Sequence, residues 1–517
     1  MKGSISIRKF VITMVLIIAT GVAFAGFGCG GDKGAEGTAE DEAAADTIAP
    51  GVSDVTPADR STISNSASIV FKFNESMDTS SLVLGGTMAS ASDGGSWAMS
   101  TSENDTLTIK PQTTWPSGTS TLTVAVNDVA GNPLPTAAAT AKETTSYNMT
   151  YGVQTMYVKQ GGAGDGTMDS ALGNIVGAIA AAKSRLSDNA WATSARVEVA
   201  KGVYDVSSGS THIVMSEGIS LYGSYSDTDW TARDLSANTT TIKDTSTSGG
   251  QQTSPNCAVE AESGITSATR IDGLTIEGGD GVYTAAIFNH DGASPIISNN
   301  AINGGGGSKL SIGIFNYKNS LPKIYNNTID GGAGASAAIA IGNHESSSPK
   351  IYNNTIDGGG SGSESHGIYS SKGSNPAIDN NIIFTSSGTT RAGIYEVDND
   401  CDATEVKNND VFNCPTALYG DKQAGNFVAA CQASGNFGNP DSSCAVITLS
   451  TPTGSGNVSI DPKFVDQAGD NWHLTSSSPT SVTQGGLDGS AAGWGFTTDR
   501  DGNPRTAPWS MGAYEYD

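Results

Sequence analysis

The sequence predicts an all-β protein, a β-sandwich of roughly a hundred residues followed by a longer parallel β-solenoid. Two observations predict it. A hexapeptide recurs every 27 residues, as Pro295-Ile296-Ile297-Ser298-Asn299-Asn300, Pro322-Lys323-Ile324-Tyr325-Asn326-Asn327, Pro349-Lys350-Ile351-Tyr352-Asn353-Asn354 and Pro376-Ala377-Ile378-Asp379-Asn380-Asn381. The composition agrees: 65 glycines in 517 residues, with 15% charged and 7% aromatic, suit short strands and many turns better than helical bundles.

The chain opens with an export signal. Lys2, Arg8 and Lys9 precede an uncharged, mostly apolar run from Phe10 to Phe27. Ala23-Phe24-Ala25 offers an ordinary cleavage site, while Gly26-Phe27-Gly28-Cys29 resembles a bacterial lipobox. That resemblance implies a signal peptide over 1–28 and lipidation of Cys29. With Gly30 rather than Asp next, it also implies delivery to the outer membrane or cell surface. Plain secretion and a retained membrane anchor are the other outcomes. Residues 29–48, rich in Gly, Ala, Glu and Asp, read as a flexible acidic tether.

Residues 49–146 show short alternating strands. Ile69, Phe71 and Phe73 share one face, and Thr106-Leu107-Thr108-Ile109 and Thr121-Leu122-Thr123-Val124-Ala125-Val126 alternate in the same way. This segment resembles the bacterial Ig-like domains of S-layer and other surface proteins. The resemblance is carried by Val55-Thr56-Pro57-Ala58-Asp59, Phe73-Asn74-Glu75-Ser76-Met77-Asp78 and Asn127-Asp128-Val129-Ala130-Gly131-Asn132-Pro133-Leu134. It implies a spacer or adhesion module.

The second unit, 152–517, opens with Met156-Tyr157-Val158-Lys159 and an amphipathic helix. Leu172, Ile175, Val176, Ile179 and Leu186 form its apolar face, with Asp169 or Ser170 as N-cap. An open solenoid end exposes core and strand edges, so this helix is expected to cap it. In the repeat, Ile302, Ile329, Ile356 and Ile383 keep one phase, as do Ile287, Ile314, Ile341 and Ile368. Proline, glycine and paired asparagine in every unit exclude helical repeats, and isoleucine in place of leucine excludes leucine-rich ones. Three short strands per coil remain, with isoleucine columns filling the lumen and one asparagine of each pair forming an amide ladder.

This unit resembles the pectin-lyase-like right-handed parallel β-helix superfamily. Tyr157-Val158 through Gly164-Asp165-Gly166 resembles its opening. Asp461-Pro462-Lys463-Phe464-Val465-Asp466, Trp472-His473-Leu474 and Asp501-Gly502-Asn503-Pro504-Arg505 to Met511-Gly512-Ala513-Tyr514-Glu515 resemble the choice-of-anchor Q tail.

Stacked coils turn phases into columns. Asp291, Lys318, Glu345 and Lys372 alternate in sign and read as a charge ladder. His290, Tyr317 and His344, followed by Ser371, are a candidate glycan-binding strip. The alternative is that these are polar residues at a turn. Glu277, Asn303, Asp330 and Asp357 form a third column, in which Asp330 and Asp357 are candidate calcium ligands or ordinary turn residues before Gly-Gly.

Cys401, Cys414, Cys431 and Cys444 are candidate disulfide partners in an oxidising compartment, their pairing open. Metal ligation is the alternative, though no CxxC or HxxxH spacing exists, and Cys257 is expected to be buried. The net charge of −25 argues against nucleic acid. The paired aspartates of polygalacturonases and the Trp-Ile-Asp-His segment of pectate lyases are absent. His366 aligns with Ile339 and Ile312 in an ordinary strand, and Arg391 near Asp398 and Asp400 is the nearest approach to a lyase base.

The expectation is therefore an exported, lipid-anchored, non-catalytic surface protein, partnered by the membrane and by polysaccharide or envelope components. Calcium is the one cofactor considered. The alternative is a calcium-dependent polysaccharide lyase or other carbohydrate-active enzyme.

Overall fold

The computed structural model describes residues 46–516 apart from 58–61, 64–65, 117, 136–144, 152, 189–193, 208–210, 232, 361, 422–425 and 428–455. The expected signal peptide and most of the tether, with Cys29, lie outside the described residues, as do Cys431 and Cys444.

The first unit is a sandwich of two four-stranded sheets. One runs Val52–Thr56, Ile69–Phe73, Thr106–Ile109, Ser96–Ala98 in spatial order, and the other Thr62–Ile63, Thr145–Tyr151, Gly118–Ala125, Val83–Gly85. Alternation does the sorting: Ile69, Phe71, Leu107, Ile109, Leu122 and Val124 are fully buried between the sheets. The Trp115 indole fills the same core and donates to the Ala67 carbonyl at 2.8 Å.

The second unit is a right-handed parallel β-helix with three sheets of parallel strands. The first runs from Val153–Val158 to Glu405–Lys407, the second from Gly202–Val206 to Asp410–Val411, and the third from Ile213–Val214 to Ala417–Asp421. Register follows the 27-residue phase. Ile302 pairs with Ile329, Ile329 with Ile356 and Ile356 with Ile383. Ile287, Ile314, Ile341 and Ile368 stack likewise. All belong to one buried core cluster.

The asparagine pair divides its work. Asn299, Asn326, Asn353, Asn380 and Asn408 take φ between 49° and 59°, a left-handed bend that asparagine tolerates. The second asparagine is buried and bonds coil to coil. The N–H of Asn300 donates to Asn327 Oδ1 at 2.9 Å, that of Asn327 to Asn354 Oδ1 at 3.0 Å, and that of Asn354 to Asn381 Oδ1 at 2.9 Å. The ladder continues through Asn409 to Asn457. A second ladder joins Asn289, Asn316 and Asn343.

The helix, Ile175–Asp188, packs on the first sheet. Ile175, Ala178, Ile179 and Ala182 are buried with Met156 and Val158. Two expectations are corrected. Val176 is 43% exposed, so alanines complete the apolar face instead. The helix starts after Asn174, whose Oδ1 accepts the Gly177 N–H at 2.6 Å. Asp169 and Ser170 cannot cap it, because Leu172 still exchanges hydrogen bonds with Tyr157 and Lys159 at 2.9 Å.

The C-terminal tail folds back on the outside of the β-helix. Phe496 stacks on Tyr325 at 4.2 Å and Trp494 on Tyr352 at 4.3 Å. Arg505 is buried, ion-paired to Glu515 at 3.1 Å and donating to Asn326 Oδ1 at 2.8 Å.

Candidate functional site

The third sheet carries the site on its outer face. The strands Tyr283–His290, Leu310–Tyr317, Ala337–His344, Glu364–Ser371 and Thr390–Glu396 place Phe288, Phe315, Gly342, Tyr369 and Tyr395 in one column. Phe288 and Phe315 stack at 5.4 Å and 14°. Gly342 interrupts the column, leaving a gap one coil wide between Phe315 and Tyr369. The gap opens into a cavity of about 180 Å³ lined by Ile312, Phe315, Ile339, His344, His366 and Tyr369.

Coils repeat at about 4.8 Å, so a flat ring inserted at Gly342 would lie at stacking distance from both flanking rings. Two histidines line this space, His344 and His366; the buried Nδ1 of each makes no hydrogen bond, and that of His344 lies 3.9 Å from Glu345 Oε1. His366 is 1% exposed. Burial and the Lys372 ammonium hold His344 below the usual imidazole range, leaving a neutral ring able to accept as well as donate.

The strip of His290, Tyr317 and His344 is in register beside this column. Its members are not freely exposed: His290 stacks on Phe288 at 4.6 Å and Tyr317 is only 7% exposed. His344 alone of the three lines the cavity. His290 belongs to a separate polar group. Its Nε2 lies 2.9 Å from Glu260 Oε1 and its Nδ1 2.7 Å from Asp291, while Glu260 Oε2 lies 2.7 Å from His212 Nε2. The hydrogen bonds from these two histidines push the Glu260 carboxyl down to about 2. The charge ladder pairs Lys318 with Asp291 at 3.5 Å and Lys372 with Glu345 at 3.1 Å.

The column Glu277, Asn303, Asp330, Asp357 lines a second, larger groove of about 1270 Å³ on the second sheet, walled by Asp470, Trp472, Arg500 and Tyr514 from the tail. Asn303, Asp330 and Asp357 each accept the N–H of the glycine two residues on, at 2.8–2.9 Å. These are Asx turns. Burial, then the Asp357 charge, raises the Asp330 carboxyl to about 7, and burial raises Asp357.

No disulfide joins Cys401 to Cys414. Cys414 is packed in the lumen, its thiol pushed up to about 12 by burial and bonded to the Phe412 carbonyl. Cys401 sits instead in the turn beyond the third sheet, beside Asp398 and Asp400. Compartment chemistry suggested a bridge that the placement of these two residues does not make. The Arg391 guanidinium points at the Thr385 and Ser386 carbonyls, 3.4 Å away, rather than at Asp398 or Asp400.

Sequence reasoning missed the notch at Gly342 and the pairing of His212 with Glu260. The same 27-residue arithmetic finds the first, but a glycine in a column of rings draws no notice.

Residues 46–148 match the family described as bacterial Ig-like domain, and residues 214–437 match that described as right handed beta helix region. The protein is thus a bacterial Ig-like domain joined to a right-handed β-helix. That fold points to a surface or carbohydrate-related protein. Among solved structures, an L,D-transpeptidase from Mycobacterium smegmatis is 20% identical over 21% of this chain and 43% of its own, with a TM-score of 0.14. LD transpeptidase LdtMt1 in complex with imipenem is 14% identical over 21% and 44%, also at 0.14. The chain spans less than half of either, and at those scores neither likeness carries an argument. No curated protein matches the chain.

Proposed function

We propose that this is an exported, lipid-anchored surface protein that binds a polysaccharide, without cleaving it, on the outer face of the third sheet. The observation that carries the reading is the one-ring gap at Gly342 between Phe315 and Tyr369, with His344 and His366 lining it. Aromatic faces pack the apolar faces of sugar rings, and a few converging polar groups fix orientation. The Ig-like domain and tether hold this face away from the membrane, and the Cys29 lipid holds the chain to it.

The test fills the gap. A Cβ at Gly342 would stand 3.4 Å from the Phe315 ring and 3.6 Å from Ile312, ordinary contact distances, so the backbone there accepts a side chain and Gly342→Phe is the variant that fills the gap. On a panel of soluble and immobilised polysaccharides, the wild type should retain at least one and Gly342→Phe should lose it, with an unchanged circular dichroism spectrum. Unaltered binding by the variant would sink the reading. In cells, Cys29→Ser should move the protein from the membrane to the soluble fraction.

One observation favours a second reading, a carbohydrate-active enzyme working in the groove on the second sheet. Asp330, holding its proton to about pH 7 beside Asp357, has the pKa of a general acid. Release of unsaturated uronides or reducing ends from acidic polysaccharides, abolished by Asp330→Asn or by a calcium chelator, would replace the binding role with catalysis.

A further inference from the structure

At the start of the third sheet, outside both grooves' chemistry, His212, Cys257 and Glu260 bring together an imidazole nitrogen, a thiol sulfur and a carboxylate oxygen, all within 4.8 Å of one another. We propose that these three side chains, with His290, form a transition-metal site of the zinc(II) class.

The donors come from adjacent coils. His212 immediately precedes the short strand Ile213–Val214, which pairs with the strand Asn256–Ala261 carrying Cys257 and Glu260, and that strand pairs in turn with Tyr283–His290. Parallel register sets Cys257 and Glu260 on the middle strand, and His212 and His290 each lie one residue beyond a paired position. One thiolate, two imidazoles and one carboxylate suit a four-coordinate zinc, with bonds of about 2.0 Å to N and O and about 2.3 Å to S. Donors of a tetrahedral site stand roughly 3.3–3.6 Å apart by those lengths. The three donors within 4.8 Å of one another would have to draw together by about an ångström, and His290 reaches the group through Glu260.

Glu260 is clasped by His212 at 2.7 Å and His290 at 2.9 Å. Binding one zinc ion through the Nε2 atoms would leave each imidazole neutral with its proton on Nδ1, and would release the thiol proton of Cys257 as the thiolate–metal bond forms.

Two further features point to a cation. His290 turns its other nitrogen to Asp291 at 2.7 Å, the carboxylate–histidine arrangement that orients a metal-binding ring. Asp244, 3% exposed and with Oδ2 unpaired, adds negative field at both His212 and Cys257.

Cobalt(II) tests the site, because a thiolate ligand gives it a near-ultraviolet charge-transfer band. Untagged full-length protein, stripped by chelator, should bind one equivalent with that band and with the strong visible bands of tetrahedral cobalt. Cys257→Ser should abolish the charge-transfer band, and Asp291→Asn should weaken binding roughly tenfold. Glu260→Gln, which preserves volume, guards against a folding artefact. Cys401→Ser should leave the spectrum unchanged. Absence of cobalt uptake, a band surviving in Cys257→Ser, or a band lost in Cys401→Ser would each overturn the assignment.

Discussion

Replacing Asn354 by alanine tests the ladder that locks coil to coil. Asn354 is fully buried. Its Oδ1 accepts the Asn327 N–H and the Asn327 side-chain amide, both at 3.0 Å. Its Nδ2 donates to the carbonyls of Ile324 and Tyr352 at 3.0 Å and to Asn381 Oδ1 at 3.1 Å. Five bonds at a net 0.5–1.5 kcal/mol, weakened by sharing of one amide among three acceptors, give an expected loss of about 3–5 kcal/mol. Asn303→Ala is the control. It removes two bonds, to Gly305 and Asp330, from a half-buried site, and should cost about 1 kcal/mol. Urea unfolding followed by circular dichroism and by tryptophan fluorescence measures both, provided the two signals coincide, since stacked repeats can lose cooperativity. If Asn354→Ala costs no more than Asn303→Ala, water replaces the buried amide freely and the ladder is not what fixes the turn.

Three other perturbations follow from the same geometry. Asp330 keeps its proton to about pH 7 in the fold, whereas the unfolded chain releases it near pH 4. The unfolded state binds fewer protons between those values, so stability falls as pH rises from about 4 to about 7, by at most about 4 kcal/mol, and is level above. Asp330→Asn should flatten that slope in denaturant titrations across pH, and an unchanged slope would assign it elsewhere. Arg505→Met leaves Glu515 buried without its partner, which should cost about 3–5 kcal/mol. The tail should then be lost first to limited proteolysis. If the helix Ile175–Asp188 caps the solenoid, Ala178→Asp should cause self-association seen by light scattering as well as destabilisation; a monomeric, merely less stable variant would remove the capping role.

The lumen was legible because a solenoid turns sequence period into spatial neighbourhood. Once the prolines are spaced by 27, Ile302, Ile329 and Ile356 have to meet if the coils stack at all, and the same arithmetic puts Asp330 against Asp357. What periodicity does not reach was read less well. The tail has no repeat, so nothing in its sequence placed Phe496 on Tyr325 or Arg505 on Asn326. The repeat assigns one asparagine of each pair to the ladder, but not the use of the other, which turns outward and, at Asn326, Asn353 and Asn380, binds the tail. Cysteine pairing was inferred from the compartment, which sets whether a bridge persists but not whether two thiols meet. Val176 fell on an apolar helical wheel, yet small alanines pack closer to the sheet and rotate the buried face toward Ala178 and Ala182.

The three outer faces differ in how much open surface they keep. Inward columns all serve one lumen and are held almost wholly to apolar side chains, isoleucine above all, which leaves them little chemistry to vary. Outward columns carry no such constraint. On the first sheet, Tyr325 and Tyr352 are spent on Trp494 and Phe496 of the tail. On the second, the acidic column is bounded by Trp472 and Tyr514 at one end and keeps an open groove. On the third, no described tail residue lines the gap: Gln252 and Thr253, ahead of a strand three coils earlier, reach it, and Phe315 and Tyr369 stand two coils apart with only Gly342 between them. A ring column serving stability alone would be uninterrupted, since each ring gains about 0.5–1.5 kcal/mol from a neighbour. Gly342 forgoes that gain where the backbone accepts a side chain, and the space it leaves is one ring deep.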